Sequence, residues 1–176
     1  MAYGICIPTK TRAMNIDSLN RSAVSAAIYE NGSVGYLTGK SATAGESEVW
    51  TLTAPVTGSL TNLWMVYEPE IVVTDSRYKG LDPDIRNFRN AVGDVFSIFQ
   101  PKKGDLITLS ADAVTGTKGV NTNVVATNLA QKLTWGSAIT NGLNLALIET
   151  TYISLGSGAV DTQRVTAYLF EVTHLA

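Results

Sequence analysis

The chain is short of the side chains on which most enzymes depend. Its 176 residues contain one histidine and one cysteine, with Cys6 near the start and His174 near the end. Most enzymes place a titratable group beside a nucleophile, a metal or a second acid. Because the thiol and the imidazole lie at opposite ends of the sequence, no such arrangement is indicated, and we expect the protein not to be an enzyme.

Charged residues are also scarce. They make up 16% of the sequence, and the net charge is −2, whereas about 25% is typical of soluble domains. Charge is depleted at the centres of protein–protein interfaces. The deficit therefore favours a subunit of an assembly, and an ordinary threonine-rich β protein is the other interpretation.

The acidic residues show no spacing typical of catalysis or metal binding. A glycosidase needs two facing carboxylates, and pairs such as Glu68 and Glu70 arise by chance in any β protein. Four aspartates could gather round a calcium ion, namely Asp75, Asp82, Asp84 and Asp94. Their spacing fits no EF-hand, and no phosphate-binding glycine motif occurs. We predict no catalytic residue, no metal and no cofactor.

Membrane and secretory features are missing as well. The longest apolar runs, Leu60–Tyr67 and Leu143–Ile148, are too short or too broken to span a bilayer. Residues Met1–Lys10 lack the charged and apolar regions of a signal peptide, and a single cysteine permits no intrachain disulfide. The sequence predicts a soluble protein with no membrane partner.

Short alternating runs of Val, Leu, Ile and Thr, punctuated by glycine, fill most of the chain. This pattern predicts an all-β fold, a single antiparallel barrel or sandwich of about eight to ten strands, over residues 21–176. The run Leu60–Tyr67 is dense enough to lie in the core. Arg164–Thr173 is apolar on both faces, which indicates a central strand.

Local signals predict turns and one helix. Asn31-Gly32 is a strong hairpin signal and would join a strand from Ser22 to one ending at Leu37. Gly93-Asp94 and Gly104-Asp105 each precede an alternating run and are expected to turn the chain into a strand. Asp82 and Pro83 fit the first positions of a short helix over Pro83–Ala91.

Residues 1–20 show no clean period and are predicted to form an N-terminal arm. Such a segment either reaches a partner or forms a first strand with a mobile tip. On the first interpretation, deletion of residues 1–20 would leave the body folded and prevent attachment.

Basic residues gather in this arm and in the middle of the chain. Acidic neighbours dilute them, and the isoelectric point is about 5.3, so we expect no nucleic-acid partner. A salt-sensitive protein contact fits them better. The candidate contact residues are Lys10, Arg12, Arg21, Arg77, Tyr78, Lys79, Arg86 and Arg89.

The middle of the chain resembles the small accessory virion proteins of tailed bacteriophages. The resemblance extends over roughly residues 60–115, and three segments carry it: Leu63–Tyr67, Tyr78–Pro83 and Asn90–Gly93. A fourth is the Lys-Gly-Asp step within Pro101–Thr108. In that group a short charged turn interrupts a strand-rich body.

The resemblance implies a decoration or cementing protein on the outer surface of a phage capsid. It implies a protein made in the host cytoplasm, located in the virion, bound to the lattice of the major capsid protein, and homo-oligomeric, with a trimer favoured. The alternative is a carbohydrate- or receptor-binding module of a phage fibre or tail, in which Trp50, Trp64 and Trp135 would supply a sugar platform.

Overall fold

The computed structural model describes residues 3–42, 48–67, 86, 88–155 and 163–174. These residues form a closed five-stranded barrel and a six-stranded sheet, so the predicted all-β class is confirmed. The barrel has the order β1-β3-β2-β4-β5, with β1 at Asn20–Val24, β2 at Val34–Lys40, β3 at Val49–Thr53, β4 at Trp64–Val66 and β5 at Val95–Phe99.

The second sheet has the order β6-β11-β10-β8-β9-β7. Its strands are β6 at Leu106–Ser110, β7 at Val114–Thr115, β8 at Asn123–Val125, β9 at Leu133–Gly136, β10 at Asn144–Leu155 and β11 at Gln163–His174. The pairs β1–β3 and β7–β9 are parallel. The other pairings among the described strands are antiparallel.

Strand β4 contributes alternate side chains to the barrel interior and to the core shared with the second sheet. Trp64 and Val66 belong to the interior of the barrel, whereas Met65 between them belongs to a larger core shared with the sheet. Successive side chains of a strand point to opposite faces, so both faces of this strand are buried. This explains the unbroken apolar stretch Leu63–Tyr67. Burial was predicted for the whole run Leu60–Tyr67; it is found at Leu63–Val66, whereas Thr61 and Asn62 are exposed.

Strand β11 lies between β6 and β10, which confirms the prediction of a central strand. One of its faces contributes Phe170 and Val172 to the shared core. The other contributes Ala167 to a smaller core. Since each face meets a different core, the strand carries apolar residues on both faces.

The N-terminal segment packs on the body. Cys6 pairs with Leu109 and Arg12 with Leu106, so the segment runs antiparallel along the outer edge of β6. Ile5 and Ile7 are buried in the smaller core, while Cys6 points into the shared core. Of the two interpretations of residues 1–20, the first-strand one fits this packing. A free arm does not, because such an arm would not bury apolar side chains in two cores.

The Asn31-Gly32 turn forms, but the hairpin predicted around it is wrong. The Ser33 N–H donates to the Glu30 carbonyl at 3.1 Å, and Gly32 has a φ of 85°, as the turn requires. Strand β1, however, pairs with β3 and β5, and β2 pairs with β3 and β4. The turn therefore reverses the chain between strands that are not neighbours.

The two Gly-Asp units fold alike, as predicted. The Asp94 carboxylate accepts the Ala91 N–H at 2.9 Å, and the Asp105 carboxylate accepts the Lys102 N–H at 2.6 Å. The glycine before each aspartate has a positive φ, and the strands β5 and β6 begin soon after.

The predicted helix over Pro83–Ala91 lies mostly outside the described residues. Of its described residues, Arg86 has 3-10 conformation. The end of the predicted helix is not helical, because Asn90 and Tyr29 exchange backbone hydrogen bonds at 2.8 and 3.2 Å. Elsewhere in the described part of the chain, helical structure is limited to short 3-10 turns at Pro8–Lys10, Asp17–Leu19, Thr57–Ser59 and Ala111–Ala113.

Candidate functional site

The five predicted contact residues that the structure describes lie in different parts of the fold. Lys10 and Arg12 are exposed beside β6, and Arg21 lies in β1. The Arg86 carbonyl accepts the Tyr3 N–H at 2.7 Å, and the Arg89 guanidinium stands 5.5 Å above the Tyr3 ring. The remaining three predicted residues, Arg77, Tyr78 and Lys79, lie outside the described residues.

Arg21 occupies one mouth of the barrel. It is paired directly with Ile98, and Trp50 is paired with Ala23. Ile98 and Ala23 both line the barrel interior. Directly paired residues point to the same face of a sheet, so Arg21 and Trp50 point inward at the end of the barrel.

At this mouth the Arg21 guanidinium stacks on two indoles. Its Cζ lies 4.2 Å from the centroid of the Trp50 ring and 4.8 Å from that of Trp64. A cation close to an indole face is attracted by the ring quadrupole. Lys40, paired with Trp50, places its ammonium 6.0 Å from the same ring.

The barrel mouth opens into a groove of about 560 Å³. This volume lies in the range usual for small-molecule sites. Asp17, Lys40 and Glu48 are exposed at its sides. The full lining consists of Asp17, Ser18, Asn20, Arg21, Ser22, Lys40, Glu48, Trp50, Tyr67 and Ser97.

The three tryptophans considered for a sugar platform are not exposed together. Trp64 and Trp135 are only 4% and 8% exposed, because Trp64 fills the barrel and Trp135 packs edge-on against Tyr168 in the shared core. Trp50 alone is half-buried. A sugar ring could therefore reach one indole of the three, at the barrel mouth.

Cys6 is placed as a structural residue. It is fully buried, and burial raises the pKa of its thiol to about 12, with the hydrogen bond to Thr11 acting in the opposite direction. The thiolate is the reactive form, so this thiol is almost wholly protonated at neutral pH. In the described part of the chain, no group of three or more histidine, cysteine or acidic residues could hold a metal ion.

We expect native Cys6 to resist a thiol reagent such as DTNB at pH 8 and to react at once in denaturant. The reason is that both burial and the raised pKa oppose attack until the N-terminal segment leaves β6. Reaction at the rate of a free cysteine under native conditions would show that this segment opens readily.

A second feature with binding potential is the outer edge of β10. Strand β8 pairs only with Asn144–Ala146, and the Leu147 N–H donates to the Thr122 carbonyl. From Ile148 onward, the described strand pairs with β11 alone. Its other edge therefore presents backbone groups without a neighbouring strand among the described residues.

Exposed side chains lie on both faces beside this edge. Thr150 and Tyr152 share one face. The Thr150 hydroxyl accepts a hydrogen bond from the Lys118 ammonium at 3.3 Å, and the Arg164 guanidinium lies 3.8 Å from the centroid of the Tyr152 ring, which is 45% exposed. Ile148 is 51% exposed and falls at the register shift of β10, which places it on the opposite face with Glu149.

Comparison of the chain with protein-family profiles, with curated proteins and with solved structures finds no match. Among the residues described, no helix has the length and apolar character needed to cross a membrane.

Proposed function

We propose that the protein is a non-enzymatic structural subunit of a tailed-phage particle that binds the outer surface of the capsid. The observation that carries the proposal is the outer edge of β10 from Ile148 to Leu155, along which the described part of the chain places no second strand. This edge would accept an extended strand of the major capsid protein, since strand addition satisfies the backbone groups of both partners.

The composition of the edge supports a partner strand. Sheet edges exposed to solvent are usually blocked by lysine, proline or inward-pointing charges. From Ile148 to Leu155 the sequence contains no lysine, arginine or proline, and Glu149 is its single charge. The register shift near Ile148 lies at the start of the free stretch, and the ladder beyond it is regular.

The low charge of the chain and the phage resemblance of residues 60–115 support the same function. Many copies on a repeating surface can bind firmly through weak contacts, because each particle offers many sites at once. The protein would be made in the host cytoplasm and would end in the virion.

The test is co-sedimentation with capsid particles assembled from the major capsid protein of the same phage. We expect the wild-type protein to sediment with the particles. A double variant, Thr150→Lys with Tyr152→Lys, should bind at least about tenfold less, since two charges on the edge oppose strand addition. Thr61→Lys, on an exposed turn before β4 and outside the stretch Ile148–Leu155, is the matched control and should bind normally.

The outcomes distinguish the capsid role from the assignment of capsid binding to the β10 edge. A wild-type protein that stays in the supernatant contradicts the capsid role. Wild-type binding that the double lysine variant retains contradicts the assignment to β10 and leaves the capsid role standing.

We also propose that the isolated protein is a homo-oligomer, with a trimer favoured. Sedimentation velocity should give three times the chain mass of 18.8 kDa. An oligomer that the double lysine variant abolishes would show that β10 binds a second copy instead of the capsid.

A further inference from the structure

We propose that the barrel mouth is a binding site for an acidic sugar, a uronic or sialic acid unit whose carboxylate binds Arg21. This site is distinct from β10 and does not depend on capsid binding. At this site a sugar would contact one indole, that of Trp50, and not a platform of three tryptophans.

The Arg21 guanidinium contacts two indoles and is not paired with a carboxylate among the described residues. Its guanidinium face is held on Trp50 and Trp64 at 4.2 and 4.8 Å. No ion pair joins Arg21 to a carboxylate within the described ranges; the ion pair found there joins Lys132 to Glu30. Arg21 is half-buried and lines the groove, so a ligand in the groove can reach its guanidinium.

The guanidinium of Arg21 has the geometry that binds a carboxylate. A guanidinium presents five donors in a planar fork that matches a carboxylate. Contact with two indoles restricts the Arg21 side chain and lowers the side-chain entropy that binding would otherwise cost. The site is therefore preorganised for an anion, and Lys40 adds a second cation at the same mouth.

The other residues of the groove favour a sugar over other carboxylate ligands. Asp17 and Glu48 also line the groove, so its two cations are balanced by two anions. An acidic peptide with several carboxylates would be repelled by them. Hydroxyl groups would donate to them, and Ser18 and Ser22 add further polar partners. One carboxylate with several hydroxyls is the chemistry of an acidic monosaccharide.

The test is an NMR titration of the intact 15N-labelled protein with D-glucuronate and with N-acetylneuraminate. We expect at least one to shift the Trp50 indole N–H and the Arg21 side-chain N–H signals saturably. The Trp64 indole should shift less, and the Trp135 indole not at all. Trp50→Phe assigns the indole signal.

Variants link the shifts to the groove. Arg21→Lys should weaken binding at least about tenfold, because a lysine cannot form the bidentate pair. Arg12→Lys is the matched control and should bind as the wild type does. If Arg21→Lys fails to fold, Glu48→Gln should weaken binding severalfold, and Glu171→Gln, exposed on β11, should not.

Three results would overturn the proposal. One is the absence of saturable shifts with either acid. Another is equal binding of glucose, which lacks the carboxylate, or of acetate, which lacks the hydroxyls. The third is tighter binding of an acidic peptide such as tri-glutamate, which would assign the mouth to a protein ligand.

Discussion

Removal of residues 1–13 is expected to unfold the protein. Ile5 and Ile7 are 2% and 8% exposed, and burial of such side chains contributes about 3–6 kcal/mol for the two together. That amount is comparable to the whole stability of many domains, about 5–15 kcal/mol. The deletion also exposes Ile153 and Ala167, against which these isoleucines pack. Far-UV circular dichroism and urea unfolding measure the loss.

This expectation replaces the one drawn from the sequence, in which deletion of residues 1–20 left the body folded. The segment forms backbone hydrogen bonds along β6. The Ile7 N–H donates to the Thr108 carbonyl at 3.0 Å, and the Ser110 N–H donates to the Ile5 carbonyl at 2.9 Å. It behaves as the outermost strand of the second sheet.

A single substitution tests the same packing without truncation. Ile5→Ala should destabilise the protein by about 2–5 kcal/mol, the usual range for a buried isoleucine. Ile16→Ala is the matched control, since Ile16 is 55% exposed, and it should change stability by less than about 0.5 kcal/mol. A truncated protein with an unchanged urea midpoint would show that the segment is dispensable.

Features set by local chemistry could be predicted from the sequence. The strands after Gly93-Asp94 and Gly104-Asp105 begin where expected, because an aspartate side chain that caps a turn acts within three residues. The burial of Leu63–Val66 and the central position of β11 followed from apolar residues on both faces. None of these predictions required knowledge of which strands are neighbours.

Features set by strand pairing could not be predicted. The Asn31-Gly32 signal favours neighbours in sequence, but β1 joins β3 in parallel through Ala23 and Trp50. That pairing brings Arg21 to the two indoles. Arg21 and Trp50 were each singled out from the sequence, for different reasons, and their contact is a product of the closed barrel. Likewise, the apolar residues of the N-terminal segment gave no sign of the edge on which they pack.

Gly35→Ala is expected to destabilise the barrel by about 1–3 kcal/mol, the usual cost of overpacking. Gly35 is paired with Trp64 across the barrel wall. A Cβ at this position would lie 2.6 Å from the Thr53 carbonyl oxygen and 2.8 Å from Leu52 Cγ. The closer atom belongs to the backbone of β3, so a change of rotamer cannot relieve the contact. Thermal and urea unfolding measure the effect.

Gly58→Ala is the matched control for this substitution. No atom lies within 4 Å of a Cβ built there, and alanine restricts the unfolded chain more than glycine does, so the change should be neutral or slightly stabilising. If the two glycine variants were equally stable, the backbone of β3 would have to lie farther from Gly35 than the distances given above.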